Sequence, residues 1–227
     1  MAPTDQKIIE KKHFLYAMFI PLIICVLMLL GFLLEHGMNW NYYKAGIYPR
    51  SVENLWGIFT YGFVHANWGH LLNNILSFFI LGSCLYYFYN VIASQILIYS
   101  YLFSGLFLWF IGRESWHIGI SSVIYSLAFF LFFSGIIRKY VPLIAISLIV
   151  VFIYGSMIWY LLPFGINDSI SWEGHLSGGL VGIVLSIIYR KKGPQKPEKI
   201  WEEEEEENEE EYFNNIDFDD RSHNTEN

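Results

Sequence analysis

An all-α membrane protein, a bundle of six transmembrane helices, is what this 227-residue sequence predicts. Three observations carry the prediction. The composition, 54% hydrophobic and 19% aromatic with only 15% charged, lies outside the range of soluble domains. Six apolar runs approach the roughly 20 residues that cross a hydrocarbon core. The net charge of −7 is also unevenly placed. Residues 1–200 hold 13 Lys/Arg against 8 Asp/Glu, whereas residues 201–227 hold 1 against 13. The body is therefore basic and the acidity belongs to the tail.

The first run, Phe14–Leu34, has 21 residues without a charge. It exceeds a signal-peptide core and precedes no small-residue cleavage site, so a retained helix is expected after a cytoplasmic segment, residues 1–13. The others are His70–Tyr89, Val91–Ile111, Gly119–Ile137, Val141–Leu161 and Gly174–Tyr189, which give a membrane domain over residues 14–190. With the N-terminus inside, inner segments hold ten Lys/Arg, including Lys11, Lys12, Arg138, Lys139 and Arg190, and outer loops only Lys44, Arg50 and Arg113. This asymmetry puts both termini in the cytoplasm of a multi-pass cell-membrane protein. In the long outer loop from Glu35 to Gly69, Tyr48, Trp56, Phe59, Tyr61, Phe63 and Trp68 suit the headgroup layer. Residues 191–227 form an acidic tail of repelling like charges, expected to be disordered; docking through Tyr212, Phe213 and Phe218 is the lesser reading.

Several classes are excluded. No basic stripe with interleaved aromatics tracks a phosphate backbone, so nucleic acid is no partner; the lipid bilayer is. Cys25 and Cys84 have no partner spacing and read as small hydrophobes. A transporter would show repeats and membrane carboxylates. His65, His70, His117 and His175 lack H-E-x-x-H spacing, so neither a metal nor any other cofactor is expected. No oligomeric state follows from the sequence.

Ionisable groups inside spans are expensive enough to be functional hypotheses. His70 and Asn74 stand one turn apart at the start of the second run, Ser121 near the start of the fourth and His175 near the start of the sixth. All three runs start at the outer face, so the four groups share one depth. A hydroxyl, a base and neutral donors are the parts of a nucleophilic hydrolase. Gly174, Gly178 and Gly182 on the sixth run, with Gly119, Ser122 and Ser126 on the fourth, offer small surfaces for close approach. Tyr125, four residues after Ser121, can pack beneath the imidazole. Glu173, two residues before His175, reads as an interfacial cap facing away from it.

These residues resemble a family. His65-Ala-Asn-Trp-Gly-His70-Leu-Leu-Asn-Asn74, Gly119-Ile-Ser121 followed by Tyr125, and Gly174-His175-xx-Gly178-xxx-Gly182 are similar to the signature of rhomboid intramembrane serine proteases. The resemblance implies a six-helix rhomboid-like bundle with a Ser121–His175 dyad and an oxyanion site made by His70, Asn74 and the Ser121 N–H. It also implies a Tyr125 that stacks on the base, support from Gly119 and Gly178, and a structural His65 near the mouth. Transmembrane proteins are then the substrates, cleaved near their extracytoplasmic ends, and the loop from Leu162 to Ser171, with Pro163 and Gly165, is placed as a lid. A catalytically inactive relative that binds transmembrane segments is the alternative. The chain departs from the family in two places. Ser122 replaces the last Gly of Gly-x-Ser-Gly, where a side chain is expected to crowd the sixth helix or compete as nucleophile, and the outer loop lacks the Trp-Arg element.

Overall fold

The computed structural model describes residues 3–38, 42–161 and 171–197. Two units divide the chain, Met1–Gln195 and Lys196–Asn227. The first holds the helices α1 (Pro3–Met38), α2 (Trp68–Phe88), α3 (Ala93–Ile111), α4 (Ser121–Arg138), α5 (Val141–Tyr154) and α6 (Trp172–Ile188). The second lies almost wholly outside the described residues, and with it the expectations for the acidic tail. Among the described residues the only strand-like pairing is an isolated bridge, Ile47 with His117.

Four of these helices, α1 to α4, are long and apolar enough to cross a membrane, and α5 and α6 are shorter apolar helices. Of the six expected spans, four thus have the length and composition to cross a membrane. The apolar run from Val141 to Leu161 stays α-helical only to Tyr154, because the chain tightens into a 3-10 helix over Gly155–Tyr160. Hydropathy reports the solvent a segment tolerates, and 3-10 and α-helical turns share it. At 1.5 Å per residue the 17 residues of α6 reach about 25 Å. In the other direction, α1 continues through the charged residues before Phe14 to a length of 36. Its internal Pro21 packs on Gly82 of α2, where an added Cβ would lie 3.1 Å from the ring.

The organising element is α4. Within its apolar window 67% of residues are buried, against 28–33% for α1, α2 and α3. It touches α2, α3, α5 and α6, and its contact with α6 is the most extensive in the molecule. Small residues make that contact possible: a Cβ on Gly178 would overlap the Ser122 backbone, and one on Gly182 the Ser126 carbonyl. Ser126 Oγ meanwhile donates to Ser100 Oγ on α3 at 2.8 Å.

At the opposite end from Ser121, Arg138 closes the α4–α6 pair. The side chain is buried, stacks over Tyr89 and donates to Ser134 Oγ and to the carbonyls of Tyr189, Arg190 and Pro194 at 2.7–3.2 Å. It thus supplies donors and positive charge to the carbonyls just beyond the C-terminus of α6.

Between α1 and α2 the described residues form 3-10 helices over Tyr42–Ala45, Val52–Phe59 and Tyr61–Phe63. Arg50 holds this stretch to the end of α3: the guanidinium donates to the Gly112 carbonyl at 2.8 Å, and the backbone N–H to that of Trp109 at 3.1 Å. Trp56, Phe59 and Trp68 are exposed, as headgroup residues would be, but Tyr61 is fully buried. Its hydroxyl donates to the Tyr101 carbonyl at 3.1 Å and its ring tilts against that of Tyr101, so this aromatic belongs to the core.

Candidate active site

The N-termini of α2, α4 and α6 carry the residues singled out above. Asn67 caps α2, its side chain accepting the His70 N–H at 2.9 Å, which fixes the turn bearing His70 and Asn74. At the entry to α4, Gly119 adopts φ +95°, and its N–H donates to the Tyr61 carbonyl at 2.9 Å. A Cβ here would lie 2.6 Å from His70 Cε1, 2.7 Å from Nε2 and 3.2 Å from Asn74 Nδ2. Glycine is required both for the left-handed backbone and for the approach of His70 and Asn74 to the chain just before Ser121. Ser121 is the first residue of α4, so its N–H has no acceptor within the helix.

The imidazole of His175 is held from two sides. It lies flat on Tyr125, with centroids 4.2 Å apart and an interplanar angle of 11°. Its Nδ1 is 2.9 Å from the Tyr160 carbonyl, at the end of the 3-10 helix that follows α5. A carbonyl only accepts, so Nδ1 carries the hydrogen and Nε2 keeps its lone pair. Tyr160 was missed by sequence reasoning, because a carbonyl has no residue signature. The Ser121 hydroxyl makes no hydrogen bond among the described residues, and catalytic bonds of unliganded sites often tighten only with substrate bound.

Two expectations change. Ser122 neither crowds α6 nor offers a free hydroxyl: its backbone meets Gly178, and its Oγ donates to Tyr61 Oη at 3.1 Å in the core. Glu173 is buried at 3% exposure, and its Oε1 pairs with Arg113 Nε at 3.6 Å. The cap of α6 is Ser171, whose Oγ accepts the Gly174 N–H at 3.2 Å. A side chain at the second helical position turns toward neighbouring loops, which is why Glu173 meets Arg113.

The donors near Gly119 are poorly satisfied. Asn74 Nδ2 is buried with no partner among the described residues. His65 is buried and meets His70 edge on at 5.1 Å, with neither ring nitrogen bonded to a side chain. Burial and the neighbouring His70 push His65 down to about 3, so it stays neutral. Among the described residues no His, Cys, Asp and Glu group has metal-binding geometry. Pro163, Phe164 and Gly165 of the expected lid fall outside the described residues.

Comparison with known proteins adds an independent line. The family described as Rhomboid domain matches residues 52–192, more than half of the chain and all of the residues just described. Uncharacterized proteins of Mycobacterium bovis and Mycobacterium tuberculosis are 33% identical over 155 residues, 63% of this chain and 62% of theirs. An uncharacterized protein of Mycobacterium leprae is 30% identical over 184 residues, 75% of this chain and 68% of its own. The chain thus spans less than two thirds of the length of the first two.

Proposed function

The chain belongs to the rhomboid family, and from that premise we propose that it is an intramembrane serine endopeptidase using Ser121 as nucleophile and His175 as base. The observation that carries the reading is the His175 ring, held on Tyr125 and anchored through Nδ1 to the Tyr160 carbonyl. A base fixed by a ring face and a carbonyl is oriented without a carboxylate, and its lone pair is on the nitrogen left free.

The steps follow from those positions. His175 Nε2 takes the Ser121 hydroxyl proton as Oγ bonds to the substrate carbonyl carbon. The oxyanion is met by the Ser121 N–H, Asn74 Nδ2 and His70. Collapse breaks the C–N bond, the amine leaves with the proton from His175, and water releases the acyl group by the same route reversed. Substrates are single-span membrane proteins, cut where small or helix-breaking residues let the segment unwind near its extracytoplasmic end, since a closed helix hides its carbonyls. Both termini are cytoplasmic and the site opens outward, as the distribution of Lys and Arg supports.

The test compares purified wild type, Ser121→Ala and Ser122→Ala on a single-span substrate, with fluorophosphonate labelling alongside. Ser121→Ala abolishes both cleavage and labelling, and Ser122→Ala keeps most of each. Asn74→Ala and His70→Ala lower turnover by about 10² to 10³. Cleavage that survives Ser121→Ala and is lost in Ser122→Ala overturns the assignment. A folded wild type that neither cleaves nor takes the label supports the inactive binder instead.

A further inference from the structure

Nucleophile and base ride on different helices, and the smooth glycine face between α4 and α6 sets how near they come without setting how they slide. A direct link sits shortly before each group in the chain. His117 precedes Ser121 by four residues and Ser171 precedes His175 by four. Their side chains meet, His117 Nδ1 to Ser171 Oγ, at 2.6 Å. His117 Nε2 donates to the Arg113 carbonyl at 3.0 Å, which leaves Nδ1 to accept the Ser171 hydroxyl. Ser171 Oγ in turn accepts the Gly174 N–H, so the link runs into the first turn of α6.

The His117 end is fixed independently. The residue is buried, and its backbone exchanges hydrogen bonds of 2.9 and 2.8 Å with Ile47. A second tie runs alongside, Arg113 to Glu173 at 3.6 Å. We propose that the His117–Ser171 hydrogen bond is a strut that sets the register of α6 against the entry to α4, and so the distance from His175 to Ser121. Both are positioning residues; neither touches substrate. The role rests on the protease reading. Misplacing reacting groups by about 1 Å is worth around a hundredfold in rate, so a bond this close to both groups affects turnover far more than it affects substrate capture.

The test uses the full chain in lipid nanodiscs, with His117→Ala, Ser171→Gly, the double variant and Ser171→Thr. Glycine caps a helix nearly as well as serine, so Ser171→Gly removes the strut and keeps the helix start. Each single variant is expected to lower kcat about 10- to 100-fold at an unchanged KM and to slow Ser121 labelling in proportion. The double variant is no worse than the more damaging single one, and Ser171→Thr, which restores a hydroxyl, recovers kcat. Unchanged kcat in Ser171→Gly, multiplicative losses in the double variant, or a loss confined to KM overturns the strut while leaving the protease reading intact. A wild type that neither cleaves nor labels overturns the protease reading, and the positioning role with it.

Discussion

At the scale of single residues, the constraint on Gly119 is the most exposed to test. Alanine there faces two costs, a backbone at φ +95° and a Cβ placed 2.6 Å from the His70 ring. The first is of order 1–3 kcal/mol. The second cannot relax without moving His70 or Asn74. Gly119→Ala is expected to lower the thermal midpoint by several degrees and to slow fluorophosphonate labelling of Ser121 far more than that loss explains. A labelling rate equal to wild type would show that His70 and Asn74 do not serve the nucleophile. Much at this scale was legible in the sequence: the four-residue offset of Tyr125 from Ser121 already puts an aromatic face where His175 lies. What was not legible depends on partners far along the chain. Nothing local to Ser122 says that its hydroxyl meets Tyr61, 61 residues away, and no pattern marks the Tyr160 carbonyl as the anchor of the base.

Among the helices, α4 and α6 are held at both ends by different means. At the end bearing Ser121 and His175 the ties are His117 to Ser171 and Arg113 to Glu173. At the other a single guanidinium serves three carbonyls beyond the α6 ladder and, among the described residues, has no carboxylate partner. Arg138→Met takes a donor from each of these carbonyls; Tyr189 keeps the Lys192 N–H and Arg190 the Gln195 amide, so Pro194 is the one left unmet among the described residues, at a cost of roughly 1–3 kcal/mol. Lysine recovers only part of this, being a point charge that cannot fork to several acceptors. Denaturation in mixed micelles measures the loss, and unchanged stability in Arg138→Met would mean that water replaces the guanidinium. Helix positions were readable to within two or three residues for α2, α3, α4 and α6, because each apolar run is bounded by a loop with polar or glycine residues. The α-helical end of α5 was not, since Gly155–Tyr160 is as apolar as what precedes it.

For the whole molecule, the count of Lys and Arg sets a directional expectation. Single cysteines introduced on a background lacking Cys25 and Cys84 report each face through an impermeant maleimide applied to intact cells. A cysteine at Glu114 is expected to label from outside, and one at Lys139 only after lysis. The reverse pattern would invert the orientation and move the proposed cleavage to the cytoplasmic end of substrates.

The order of helices along the chain bears on when the molecule becomes active. Among the described residues Ser121 heads α4, whereas His175 is carried by α6, which is made two helices later. A nascent chain that ends before Ser171 therefore holds the proposed nucleophile without the proposed base His175, without Ser171 and without the glycine face against α4. On the proposed protease reading, a partly made chain cannot cut newly made neighbours, and proteolytic competence arrives only when α6 docks on α4.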